Sequence, residues 1–123
     1  MALSRFTAAV VLAAQVALAT TASADCVLPK APGAIPNGAS ASAAEMESAR
    51  VALERYQKAV KDYLSCTEQE VKARIADLGN NVDAIRQVKL MADKRSKGLQ
   101  DDLQTRADEL NDQLRAFKLN NRE

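Results

Sequence analysis

All three prolines of this 123-residue chain, Pro29, Pro32 and Pro36, fall early, and none follows. Proline inside a helix removes a backbone hydrogen bond and clashes with the preceding turn, at a cost of about 3 kcal/mol. The chain is therefore divided in two. Residues 25–41, which also hold Gly33 and Gly38, are predicted to form an extended arm, and everything after Pro36 is open to long helices.

Ser42-Ala43-Ala44-Glu45 is a capping-box sequence: the serine oxygen accepts from the third helical amide while the glutamate reaches back to the serine amide. From this start Met46, Ala49, Leu53, Tyr56, Val60 and Tyr63 recur at threes and fours along one helical face, and the stripe resumes at Val71, Ile75 and Leu78. Gly79-Asn80-Asn81 supplies a break, with glycine suited to a left-handed position and Asn81 suited to cap the next helix. A second stripe follows through Val82, Ile85, Val88, Leu99, Leu103, Leu110, Leu114 and Phe117, and Leu103, Leu110 and Phe117 stand seven apart as in a coiled-coil seam. The expected fold is all-α: a long antiparallel two-helix hairpin, coiled-coil-like, with helices at about 42–78 and 82–120. Gly98, in a stretch without apolar residues from Asp93, costs a helix about 1 kcal/mol relative to alanine. A break there is the structural alternative, unless a large side chain opposite Ser96 and Gly98 fills the gap.

Charge gives a check on register. With the turn centred at residue 80, facing residues have numbers that sum to about 160, which sets 48–61 against 99–112 and 62–71 against 89–98. Arg50, Arg55, Lys58 and Lys61, less Glu54, then oppose Asp101, Asp102, Asp108, Glu109 and Asp112, less Arg106, while Asp62, Glu68 and Glu70 oppose Lys89, Lys94, Arg95 and Lys97, less Asp93. Exposed pairs are worth only about 0–1 kcal/mol each, so this pattern speaks for register more than for stability.

Residues 1–24 read as a secretory signal peptide. Met1 to Arg5 is a positively charged start, Phe6 to Leu18 is an apolar run, and Ala22-Ser23-Ala24 is a small-x-small cleavage signal that would be cut between Ala24 and Asp25. The run is shorter than the ~20 residues of a spanning helix and is interrupted by Gln15. Asp25 before Cys26 also disfavours a lipidated cysteine. No integral membrane segment is expected after cleavage. The expected location is the periplasm or the exterior of the cell. Removing Arg5 with the leader leaves 16 Lys+Arg of the original 17 against 16 Asp+Glu, a neutral chain unlike an ordinary nucleic-acid binder.

Export places Cys26 and Cys66, the only thiols, where disulfides persist. An arm of 16 residues spans up to roughly 50 Å, and Cys66 stands about 36 Å along its helix, so the arm can reach. A structural Cys26–Cys66 bridge is the favoured reading. A redox-active pair, which usually has Cys-x-x-Cys spacing, and an intermolecular bridge are the alternatives.

Little else suggests chemistry. The chain has no histidine, which removes the commonest general base and zinc ligand, and leaves its serines and threonines without their usual activator. Asp101-Asp102 and Asp108-Glu109 read as solvated helix faces, and no Gly-rich phosphate loop is present. Tyr56, Tyr63 and Phe117 read as core residues, the tyrosines with wet hydroxyls. Arg86, Lys89, Lys94, Arg95 and Lys97 form the one cationic cluster, most simply a solvated face. No catalytic residue, cofactor or metal site is expected.

Cys26, the run Ala34-Ile35-Pro36-Asn37-Gly38, Met46, Tyr56, Tyr63-Leu64-Ser65-Cys66 and the tail Asn111 to Lys118 resemble a group of small exported proteobacterial helical proteins. The resemblance covers both ends of the expected mature chain and not the Gly79-Asn80-Asn81 region, and Asn37 stands where that pattern has Asp. It implies a secreted helical protein with one disulfide and brings no catalytic or binding residues. Val51, Leu64, Leu90 and Leu119 lack an obvious partner in a two-helix hairpin, so the expected function is non-enzymatic, through contacts with an unknown protein or through self-association. A periplasmic chaperone-like or envelope-stress factor that holds unfolded clients is the alternative.

Overall fold

The computed structural model describes residues 25–122. The expected leader, with Ala24 of its cleavage signal, lies outside these residues.

Among the described residues the fold consists of two helices, α1 (Ala43–Asp77) and α2 (Val82–Asn120), packed against each other as a hairpin. The start of α1 is fixed by the capping box. The Ser42 hydroxyl accepts from the Glu45 amide at 3.2 Å, and Glu45 Oε2 accepts from the Ser42 amide at 2.7 Å. The Ser42 amide first, and the Ser42 hydroxyl donating to Glu45 Oε2 at 2.8 Å second, hold the Glu45 carboxyl below its ordinary pKa. At the other end Gly79 adopts φ +56°, a left-handed conformation that favours glycine. Asn81 then caps α2, its side chain accepting from the Ala84 amide at 3.1 Å.

The expected register holds. The Tyr56 hydroxyl meets Asp102 across the helix pair at 2.8 Å, two short of a sum of 160. The opposed charge blocks nevertheless do not clasp. Every ion pair among the described residues lies within one helix at spacing three or four, such as Lys58–Asp62 at 2.6 Å and Lys72–Glu68 at 2.8 Å. Neighbours one helical turn away are reached with less ordering of long side chains than partners across a seam filled by apolar groups.

Helix α2 runs unbroken through Gly98, so the break considered there does not occur. A penalty of about 1 kcal/mol is small against the cooperative hydrogen bonding of a 39-residue helix. Nor is Gly98 covered by a large residue from α1, since a Cβ built on it would meet nothing within 4 Å.

Burial is unevenly distributed. Met46, Tyr56, Val60, Tyr63 and Leu110 are the buried hydrophobic residues among those described, and none from Thr67 to Asp93, beyond the disulfide, joins them. The reason is the arm. It runs antiparallel to α1, from Cys26 bridged to Cys66 back to the Ser42 cap, and lies over the half of the hairpin that contains the helix ends. Two helices alone bury only the strip between them. The arm adds a third side, and full burial of such side chains is worth about 1.5–3 kcal/mol each. Beyond the disulfide the seam continues through Val71, Ile75, Leu78, Ile85 and Val88, all half-buried.

Candidate functional site

The disulfide and three hydrogen bonds to α2 fasten the arm. Cys26 and Cys66 are joined as a disulfide, with Cα atoms 5.7 Å apart, and no free cysteine remains. The Arg106 guanidinium donates to the Pro32 carbonyl at 3.2 Å, the Gly38 amide donates to Gln113 Oε1 at 2.8 Å, and the Asn120 side chain donates to the Ala39 carbonyl at 2.7 Å. Gly38 is required for more than its turn. It is buried against the backbone of α2, where a Cβ would collide with the Gln113 carbonyl. Nothing local in the sequence announces this, because the constraint comes from residues 75 positions away.

Arg106 organises a polar junction under the arm. Its Nε donates to Asp102 Oδ2 at 2.9 Å, the same oxygen that accepts from the Tyr56 hydroxyl, and its guanidinium lies 5.8 Å from the Tyr56 ring centroid. That is within cation–π range. Hydrogen bonds from Tyr56 and then from Arg106 hold the Asp102 carboxyl below its ordinary pKa. Burial first, and the Asp102 carboxylate second, push the Tyr56 phenol up. Asp102 is thus no solvated bystander like the exposed Asp101, and Tyr56, 4% exposed, does not keep its hydroxyl free. The signal available in the sequence was register: residues 56 and 102 face each other once the turn is centred at 80. A carboxylate accepting two hydrogen bonds and neighbouring a cation is held ionised, which makes the junction an arm fastener and a poor proton donor.

Glu70 marks the end of the strap. Its Oε1 accepts from the Cys26 amide at 3.3 Å, and its carboxylate and the two sulfurs lie within 4.8 Å of one another. While the sulfurs are bonded to each other neither offers a thiolate, so the trio is not a metal-ligand set in this state.

Where the arm stops, a cleft begins. Glu70 lines both, and the cleft continues for about 360 Å³ between the helices over Leu64, Val71, Val88 and Met91, with Arg74 and Arg95 at its rim. A second opening of about 420 Å³ borders the other flank of the seam, with Glu68 and Asp93 along it. Leu90 and Met91 are 60% and 58% exposed, and Val82 and Leu119 are exposed as well, whereas Val51 and Leu64 are half-buried. Of the cationic cluster only Arg86 pairs, with Asp83 at 3.3 Å. Lys89, Lys94, Arg95 and Lys97 make no ion pair among the described residues.

Among the described residues no helix is long and apolar enough to cross a membrane. The disulfide is a bond of oxidising compartments. No family model, curated protein or solved structure matches the chain.

Proposed function

We propose that this is an exported, non-enzymatic binding protein that works through protein contacts made by the half of the hairpin beyond Cys66. The observation that carries this reading is the absence of any buried residue from Thr67 to Asp93, the part of the hairpin beyond the disulfide, next to a half built from the same two helices that buries five hydrophobic side chains. An amphipathic seam left open on its flanks gains by acquiring cover. The signal-like leader and the Cys26–Cys66 bridge support placement in the periplasm or outside the cell. The seven-residue spacing of Leu103, Leu110 and Phe117 supports a coiled-coil-like pairing of the helices. The lack of histidine and the open shape of both clefts favour binding over catalysis.

The test is direct. Mature protein with its disulfide intact is titrated with a dye that fluoresces on apolar surfaces, alongside the Met91→Glu and Val71→Lys variants. Binding that falls in both variants supports the reading, and a wild-type protein that binds no dye refutes it. Chemical cross-linking in the native periplasm then identifies the partner.

A further inference from the structure

Two features on the same stretch of the molecule lack a partner, and each has the shape the other needs. One is the cleft over Leu64, Val71, Val88 and Met91. The other is the head of the arm, where Val27 and Leu28 are 83% and 64% exposed. They are neighbours: Cys26, next to Val27, donates to Glu70, which lines the cleft. The apolar pair cannot fold back into its own cleft, because Cys26 is fixed to Cys66 and the arm then leads away from the cleft to Pro32 and Arg106.

A projection and a cavity side by side on one face are what a two-fold axis converts into a closed pair. Rotation about an axis that crosses the hairpin near Glu70 at right angles to the helices places the projection of each copy at the cavity of the other, so every contact forms twice. We propose that the cleft beyond the disulfide is the interface of a homodimer, in which Val27 and Leu28 of one copy enter the cleft of a second copy and receive its own pair in return. This inference rests on the reading that the open half is a docking surface and names its occupant.

Three further observations agree with a second copy as occupant. The side-chain carboxylate of Asp25 at the head of the arm complements Arg74 and Arg95 on the cleft rim, while the α-ammonium that cleavage would create on the same residue complements Glu70, and none of these side chains makes an ion pair among the described residues. Val27 and Leu28 stand between the bridged Cys26 and Pro29, so the segment is already stiff and loses little freedom on insertion. Within each chain, too, the arm is an extended segment laid against the same helix pair.

The experiment uses the mature chain with its disulfide verified by mass. Sedimentation velocity at concentrations up to about 100 µM is run on the wild type, Leu28→Asp and Met91→Glu. Both altered side chains are exposed, and far-ultraviolet circular dichroism checks that the helices persist. In parallel, a photoreactive residue at position 28 is activated in a mixture of isotopically light and heavy protein. A wild-type dimer, at least about tenfold weaker association in each variant, and light–heavy cross-links from position 28 to residues 64–95 support the proposal. A wild-type monomer, open-ended assemblies, or a dimer indifferent to Leu28→Asp overturns it. If the wild type is monomeric while its dye binding still falls in Met91→Glu, the docking surface stands and the second copy does not.

Discussion

Cutting the Cys26–Cys66 bridge tests whether the arm is held by the covalent bond or by its docking. The bridge spans 40 positions. In the chain-entropy model a loop of that size destabilises the unfolded chain by roughly 4 kcal/mol, against a total of about 5–15 kcal/mol for an ordinary domain. The folded state loses far less. After reduction Arg106 still holds Pro32, Gln113 still holds Gly38 and Asn120 still holds Ala39. Only the exposed 3.3 Å contact between the Cys26 amide and Glu70 depends on the bridge, and such a bond is worth about 1 kcal/mol or less. Nearly all of the effect should therefore arise in the unfolded ensemble. Urea unfolding followed by circular dichroism, with and without reductant, should show a loss of about 4 kcal/mol. The denaturant slope should become steeper, because the reduced unfolded chain expands further. The Cys26→Ser and Cys66→Ser variants should behave alike. A loss under about 1 kcal/mol with an unchanged slope would refute the loop-constraint argument. Collapse of the helix signal on reduction in buffer alone would refute the claim that the arm's other contacts hold.

Gly38→Ala should cost about 1–3 kcal/mol in thermal or urea unfolding, since the added carbon meets the α2 backbone, which cannot move aside as a side chain does. Gly98→Ala should instead stabilise by about 1 kcal/mol, because its Cβ enters open space within a helix. Tyr56→Phe should cost about 1 kcal/mol at neutral pH by leaving Asp102 without one donor. The Tyr56 phenol is raised in the folded state, so its contribution is complete below the unfolded value of about 10 and fades as pH rises through the folded one. The phenylalanine variant should lose that alkaline decline. The Asp102 carboxyl is lowered, so its contribution is present above about 3.9 and disappears as pH falls through the folded value. Asp102→Asn should flatten the acid limb of a stability profile.

The helices were legible because their signals are local. Ser42 and Glu45 lie within one turn of each other, Gly79 needs only its own backbone, and the absence of proline after Pro36 is a property of sequence order. The facing of the helices was legible too, since a turn at residue 80 leaves one antiparallel pairing. What escaped was whatever depends on the arm's path. Gly38 is constrained by Gln113 and Arg106 is engaged by the Pro32 carbonyl, 75 and 74 positions apart, separations that no periodicity records. Gly98 kept a break open as an alternative on its local preference, and a helix continuous on both sides overrode it. The charge blocks identified the register, but the ion pairs formed within each helix, where the geometry was already supplied.

The arm's two ends dock on parts of the chain that are made at very different times. Cys66 lies 40 positions after Cys26, whereas Gly38 and Ala39 wait for Gln113 and Asn120, 75 and 81 positions further on. In a chain that emerges from its N-terminal side, the bridge has both its cysteines before any of α2 has appeared. Pairs far apart in sequence close late, because more chain freedom must be surrendered first. Oxidation can thus lay the arm along α1 as a template before the second helix arrives, and the returning helix then finds one lined side ready to receive Leu110, Gln113 and Phe117. The order of assembly would be set by cysteine chemistry, with helix pairing as its last step.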